Sequence, residues 1–540
     1  MRLRSPIALW LLFGAFPACA QQRPPAASSS FEISGRLIDS VTGDVVRGAS
    51  LQLAAVTQRQ DVQHLAARAD GSFEFHNLAP GKYSLSAQAA GYPNQLFEQH
   101  GPFNTGVVVG PDKISKGIIF RMRPEGSISG RVLDEHNEPA RTAQVLLFEK
   151  STDSGKWRVE RRGQSQTDDL GEYHFYHLHA GTYYLAVTAQ PWYSRYMQGL
   201  ARTIGSGQAK PEIDPALDVA YPVTYYPGGT DPDNAGAVVL HAGDRISADF
   251  DLTPVQSLHL TIRGNAPVQP NFRERVFGEP WGFMQPTLSW TNSGDNAPAE
   301  VHVSGIAPGN YEIVAMHRNG GADPSGRNRE VSLSSDGELD LSAGDSLESI
   351  HGKLKFDGDA PDNSFIQLRD LGSGQMMGAR VDEKGEFTVQ PEHAGRYVIA
   401  LGNAPGYAIR TISATGANVS GRTVEFAGTQ AVELSIAASQ GVGTVNGTVM
   451  KDDKPVSAAM VVLVPPNAED NLSLFRRDQS DSDGTFTLPE VVPGTYTAIA
   501  LQNGWDMEWA SPEALRPYLA KGTRVQVSGK QQLDIKIAAQ

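Results

Sequence analysis

Three histidines crowd into one six-residue run, "HFYHLH", in which His174, His177 and His179 offer the imidazoles that zinc sites use. Strand alternation puts His174 on the face opposite Phe175, whereas His177 and His179 fall in the turn ahead of Ala180 and Gly181. The rings then diverge, and the run reads as exposed strand and turn histidines. A second run, "DQSDSDG" at 478–484, resembles a calcium loop. It lacks the terminal bidentate glutamate of such a loop and stands where a hairpin is required, so it reads as a turn. No histidine begins a His-x-x-Glu pair or an H-E-x-x-H motif, and neither G-x-S-x-G nor G-x-x-x-x-G-K-[ST] occurs. Cys19, the only cysteine, lies in a candidate export signal, which leaves no thiol in the mature chain. The chain therefore reads as no enzyme, with no metal and no cofactor.

Binding chemistry has more to draw on. Sugar recognition needs flat exposed rings beside polar groups, and residues 190–234 carry Trp192, Tyr193, Tyr196, Tyr221, Tyr225 and Tyr226 together with Asp231 and Asp233. This stretch is longer than its counterparts elsewhere in the chain, and long loops on a rigid scaffold often carry binding sites. Trp192, Tyr193, Tyr196, Tyr225, Tyr226, Asp231 and Asp233 are accordingly the candidate ligand residues. Trp281, Trp290, Met507 and Trp509 are weaker candidates of the same kind. Tyr92, Trp192 and Trp505 each fall nine residues after a recurring Tyr, and Tyr407 ten after, which suggests rings covering a domain end. A formal charge of −14, with no long run of either sign, argues against a nucleic-acid partner, because phosphate-backbone binding needs a basic face.

The elements that must position these residues repeat. "ADGSFEFHNLAPGKYSL" at 69–85 recurs as "DLGEYHFYHLHAGTYYL" at 169–185, "EKGEFTVQPEHAGRYVI" at 383–399 and "SDGTFTLPEVVPGTYTA" at 482–498, and "GIAPGNYEI" at 305–313 is a degraded fifth copy. The glycine pairs Gly71 and Gly81, Gly171 and Gly181, Gly385 and Gly395, Gly484 and Gly494 are always ten apart, and Gly309 is the second glycine of the degraded copy. Between them, alternating apolar and polar residues mark a strand buried on one face. The first glycine suits a tight hairpin. The second follows Pro in three copies, which predicts a type II turn with the glycine at positive φ, where a Cβ would clash. Tyr83, Tyr183, Tyr311, Tyr397 and Tyr496 stand two residues beyond it and are predicted to bury their rings and return their hydroxyls to nearby backbone, as a tyrosine corner does.

Each copy opens on a short strand with glycine at its third place, as in "ISGRLID" at 33–39, and closes on a strand pair such as "VVVGPDKISKGIIFRM". Short strands spaced by turn signals, with little helical periodicity, make each unit a β-sandwich candidate. The expected division is a signal peptide at 1–20, a flexible leader at 21–30, and sandwiches at 31–125, 126–255, 256–345, 346–439 and 440–540. The third is divergent, with Ala299 where the first glycine should be, and the second carries the long aromatic loop at 190–234.

The order of G-x-[LV], [DE]-x-G-x-[FY], P-G-x-Y and a following "AGY" resembles the carboxypeptidase regulatory-like domain, a transthyretin-like (prealbumin-like) sandwich related to Cna B-type modules. The resemblance covers copies one, two, four and five. It implies an all-β chain of about five tandem antiparallel sandwiches, sometimes grouped with carbohydrate-binding-like folds. It implies no peptidase activity, because in the carboxypeptidases this module only accompanies the catalytic domain. Cna-like modules sometimes join a first-strand Lys to a last-strand Asn, but the equivalent first-strand residues here are Arg36, Arg131, Lys353 and Thr448, and "VELSI" offers Lys353 no Asn or Asp, so no isopeptide bond is expected.

Arg2 and Arg4, the apolar run from Ile7 to Phe16 and the small residues Ala18 and Ala20 read as an export signal cleaved after Ala20, with acylation of Cys19 the rival reading. No transmembrane segment is expected in the mature chain. Its place is then the periplasm, the outer cell surface or the medium. The functional expectation is a non-enzymatic scaffold or adhesion protein of small units strung into a long reach, with cell-surface polysaccharide or envelope proteins as partners. Glycan binding through the aromatic loop, or service as an accessory to an outer-membrane transporter, are the alternatives.

Overall fold

The computed structural model describes residues 30–57, 62–194, 214–264, 268–281, 286–291, 299–317, 328–340, 348–372, 374–391, 393–428 and 430–540. The signal segment and Cys19 lie outside the described residues, as does all of the leader except Ser30. The first sandwich runs β1 (Phe31–Asp39), β2 (Ser50–Ala55), β3 (Val62–Ala66), β4 (Ser72–Leu78), β5 (Gly81–Ala89), β6 (Tyr92–Leu96), β7 (Val107–Val109) and β8 (Ile118–Met122). One sheet has the order β4-β1-β8; the other has β3-β2-β5, with β6 and β7 both pairing β5. Alternate residues point inward, so that Ile33 and Leu37 of β1, Phe73 and Phe75 of β4, Leu51 and Leu85 fill the space between the sheets.

The same plan recurs with first strands at Gly126–Leu133, Leu258–Gly264, Ile350–Phe356 and Gly443–Lys451, each body with its own core. Two features depart from the sequence reading. First, the sandwiches are not wholly antiparallel: β1 runs parallel to β8, and the equivalent first and last strands are parallel in the other four bodies. Second, the closing strand pair is not joined strand to strand. β7 pairs β5 while β8 pairs β1, so the chain crosses from one sheet to the other between them. A parallel ladder cannot be made by a tight turn, and this crossover supplies it.

The parallel ladder explains the glycine at the third place. A Cβ on Gly35 would stand 2.2 Å from the Ile118 carbonyl oxygen of β8 and 2.8 Å from the Phe73 ring. On Gly130 it would stand 2.1 Å from the Ala248 oxygen, and on Gly447 2.6 Å from the Ile535 oxygen. The core aromatic of β4 lies across the bare backbone of β1.

The first glycine of each pair takes the hairpin place expected of it and also holds the positive φ expected of the second. Gly71, Gly171, Gly385 and Gly484, at the hairpin into β4 and its equivalents, hold φ between +74° and +79°. A Cβ on Gly385 would lie 2.4 Å from the Leu354 carbonyl oxygen. The second glycines carry no such kink: Gly181, Gly309, Gly395 and Gly494 have no positive φ, and Gly81, at +159°, is close to fully extended. What they provide is room. A Cβ on Gly181 or Gly309 would meet the ring edge of the Tyr two residues on at 3.3 Å, and on Gly494 at 3.5 Å. In all five copies the Tyr hydroxyl donates to the carbonyl four residues earlier: Tyr83 to Ala79 at 2.9 Å, Tyr183 to His179 at 2.8 Å, Tyr311 to Ala307 at 2.7 Å, Tyr397 to His393 at 2.5 Å and Tyr496 to Val492 at 2.7 Å. All five rings are buried.

Two substitutions in the fifth sandwich separate these roles. Gly484→Ala forces a Cβ into the left-handed region and should cost at least about 2 kcal/mol, whereas Gly494→Ala should cost less than about 1 kcal/mol. Tyr496→Phe, which strands the Val492 carbonyl, should cost about 1–2 kcal/mol. Urea denaturation midpoints of the full chain check the ranking, and equal costs for the two glycines would contradict it.

Candidate functional site

The histidine run does not converge. His177 takes the left-handed position of a bulge, φ +58°, as Asn77 (φ +58°) and Glu490 (φ +53°) do in the matching strands, and its ring bonds the Glu125 carboxylate. His179 gives its carbonyl to the Tyr183 corner, and His174 is an exposed strand residue. Among the described residues, metal-capable donors do come within 4.8 Å of one another at Glu32, Glu74 and His76, and at Asp134, Glu135 and His136. Both sets already have partners: Lys116 lies 2.5 Å from Glu32, and Glu135 accepts the hydroxyls of Tyr193 at 2.7 Å and Tyr221 at 2.5 Å. Burial pushes the Glu135 carboxyl up, but those two hydroxyls outweigh it and hold the group below the usual glutamate range.

The aromatic loop is brought together, though not as a platform of exposed rings. Tyr196 lies outside the described residues. Trp192 is 70 % exposed, with Tyr193 edge-on at 5.7 Å. Asp231 accepts the Asp233 amide and the Asn234 side chain at the short turn Pro232–Asn234, so neither aspartate is joined to the rings. Tyr226 packs against the core of the second sandwich, and Tyr225 is buried against Phe277 of the third at 4.8 Å. Phe148 also meets Phe277, and Arg161 lies over Trp281 at 4.8 Å. The Tyr225 end of the loop is therefore part of the seam between two sandwiches. Trp290 has no described side chain.

Glu274 sits in that seam, 4 % exposed. Burial pushes its carboxyl up to about 8, against the pull of the Val223 amide and the Tyr311 hydroxyl. Its equivalents opposite the corner Tyr, Glu149 and Asp370, differ in having basic neighbours, Arg162 at 2.6 Å and His393 at 3.6 Å.

A dense set of convergent polar groups joins the first sandwich to the fifth, and it includes the acidic run "DQSDSDG". Asp481, 3 % exposed, receives Lys82 Nζ at 2.7 Å and the Gly106 amide at 3.0 Å. Asp483 receives Lys113 Nζ at 2.6 Å, Ser482 exchanges bonds with Gly106 and Val108, and Gln479 donates to the Glu98 carbonyl at 2.7 Å. Burial pushes Asp481 up to about 6, with Lys82 and the Gly106 amide opposing. Beside this set the Arg477 guanidinium stands 4.7 Å from the Phe103 ring and 4.3 Å from that of Trp509. His100 stacks on Trp505 at 4.7 Å with planes 7° apart. Planar guanidinium on aromatic faces is worth about 0.5–2 kcal/mol per contact. Trp505, expected to cover an end of its own sandwich, reaches the first one.

The fifth sandwich also touches the second, where Trp509 Nε1 donates to the Thr152 carbonyl at 2.9 Å and Ala510 N to Gly155 O at 3.0 Å. Arg158 of the second donates to Leu371 and Gly372 carbonyls of the fourth at 2.8 and 3.0 Å. Asp470 of the fifth takes Arg396 at 3.1 Å and Ser420 at 2.7 Å, both from the fourth. The chain folds back on itself, and the long reach expected of strung units is not what these contacts build. Lys82, His100, Phe103 and Arg477 gave no sequence signal of this role. The density of acid in 478–484 is the one signal the sequence offers, and it marks the turn as well as the junction.

Two outcomes test these contacts. A zero-length carbodiimide should join Lys113 to Asp483 within one chain, read as a cross-linked peptide by mass spectrometry, and Asp483→Asn should abolish it; a monomer without that peptide contradicts the junction. Because the folded-state pKa of Glu274 is raised, its proton stabilises the fold below pH 4.5 and that contribution is lost as pH rises towards 8, at roughly 1.4 kcal/mol per pH unit. Glu274→Gln, which keeps a neutral side chain, should flatten that part of the pH–stability curve and raise stability at pH 8.

Residues 32–113 match the family model described as the carboxypeptidase regulatory-like domain. No curated protein matches the sequence. Among solved structures, the Bacillus anthracis TIE protein aligns at 11 % identity over 96 % of this chain and 76 % of its own, with a TM-score of 0.17. A Streptococcal ancillary pilin aligns at 13 % identity over 52 % and 99 %, TM-score 0.19, and BcpA, the major pilin subunit of Bacillus cereus, at 10 % over 77 % and 99 %, TM-score 0.15. With its mixed sheet β4-β1-β8, its corner Tyr83 and its matched sequence, the first sandwich is a carboxypeptidase regulatory-like domain, at the head of a tandem array built on the same plan.

Proposed function

We propose that this chain is a non-enzymatic binding scaffold that is exported and works at or outside the cell envelope. The observation that carries the reading is the use made of its chemically capable side chains. His100, His177, Asp481, Asp483 and, through the Phe103 ring, Arg477 all hold one sandwich against another or against a linker. An array held this way presents loops in constant relation to each other, which suits recognition of a large partner, an envelope protein above all. The export signal reading supports the location, and no helix among the described residues is long and apolar enough to cross a membrane.

A second reading, polysaccharide binding on the second sandwich, rests on Trp192 at 70 % and Tyr176 at 65 % exposure. Pull-down from solubilised envelope fractions with the mature chain as bait separates the two. Retention of a defined protein that survives Trp192→Ala supports the scaffold. A tryptophan fluorescence response to polysaccharides that Trp192→Ala removes supports the second reading, and no retention with no response overturns both.

A further inference from the structure

The fourth and fifth sandwiches enclose a cleft of about 430 Å³ whose walls include Leu401, Ile409, Val442 and Leu474. Two arginines open into it, Arg422 from the fourth body and Arg476 from the fifth. Arg422 is only 8 % exposed. A guanidinium carries five N–H donors and always a full charge. Arg422 uses Nη2 on the Ile409 carbonyl, while its Nη1 is buried without a hydrogen-bond partner. Arg476 donates to the main-chain carbonyls of Ser473, Phe475 and Glu490, which leaves one Nη2 hydrogen over. Among the described residues neither lies within 4 Å of a carboxylate oxygen. Burial holds both groups below the ordinary arginine range, and the positive charge of Arg410 adds to the effect at Arg422.

Both cations are desolvated and donate only to neutral carbonyls, with the Glu490 carboxylate acting on Arg476 from beyond hydrogen-bond reach; such groups are expensive to keep, and an anion relieves both the remaining charge and the idle donors. The ionised residues lining the cleft are Arg422, Arg476 and Glu490, a balance of one positive charge. One carboxylate neutralises it, and the planar fork of a guanidinium matches that group's two oxygens. The remaining wall is largely aliphatic, and the volume is within the roughly 300–1,000 Å³ typical of small-ligand pockets. We propose that this cleft binds a small monocarboxylate with an apolar body, its carboxylate held by Arg422 Nη1 with Arg476 adding charge and its body on the aliphatic wall. The site is independent of the envelope partner, since it faces the seam between two sandwiches.

The test is titration calorimetry on the full mature chain with phenylacetate as probe, against phenylacetamide and inorganic phosphate. A saturable signal with phenylacetate, weakened by added salt and missing with the neutral amide, is expected. Arg422→Met and Arg476→Met should each weaken it at least about tenfold. Should Arg422→Met disturb folding, Val442→Trp serves instead: it fills the cleft while leaving both arginines in the chain, and binding should vanish while the circular dichroism spectrum and melting temperature stay near wild type. No saturable signal at roughly millimolar phenylacetate overturns the proposal, as does equal binding of the amide, tighter binding of phosphate, or binding unaffected by Val442→Trp.

Discussion

A phenol can close the end of a two-layer sandwich only if its hydroxyl finds an acceptor inside, and in this protein all five bodies solve that with one local bond. The corner Tyr reaches back four residues to a main-chain carbonyl, and in three of the bodies its ring lies over a glycine that leaves it space. The bond ties the end of β4 to the start of β5, and thus one sheet to the other. Without it the large rings that fill the interior would have to surrender either burial or a hydrogen bond. The left-handed hairpin ahead of β4 and the bare backbone of β1 then let the core aromatics lie flat against the first strand.

Once each body is closed in this way, its outer loops are free to do other work, and here that work is mutual contact. The run 478–484 is a hairpin in the fold of the fifth sandwich and a clamp on the first, with Asp481 on Lys82 and Asp483 on Lys113. The aromatic loop of the second sandwich closes its own end through Glu135 and seats the third through Tyr225. The same chemistry that suggested a calcium loop and a sugar platform is employed in joining domains. An acid-rich turn that meets two lysines and a main-chain amide needs no ion, and a tyrosine buried on a neighbour's phenylalanine offers no face to a glycan.

Where the junctions leave charge uncompensated, they say something different. At the first–fifth junction Asp481 and Asp483 each have a lysine. At the fourth–fifth cleft two guanidiniums donate only to carbonyls, and at the second–third seam Glu274 has no cation within 4 Å among the described residues, so that burial pushes its carboxyl up to about 8, towards the protonated form. A carboxyl can neutralise itself in this way, but a guanidinium cannot, because its pKa lies too far above neutrality. The two sites therefore relieve the same cost by different routes.

Periodicity and spacing by themselves determined the repeat, the all-β class, the buried face of β4 and the corner Tyr, because each is a local rule: alternation has period two, and a hydroxyl that bonds four residues back is specified within one turn. They also marked the glycines as special but assigned the positive φ to the wrong member of each pair, since Pro-Gly and Asp-Gly both favour turns and only the built chain shows which glycine meets a carbonyl and which meets a ring. Tertiary structure alone decided the parallel first and last strands, the pairing of Lys82 with Asp481, and the cleft that holds Arg422 beside Arg476. Partners about 400 residues apart share no local pattern, so their meeting depends on how whole bodies pack, and that packing energy is spread over surfaces that no short motif records.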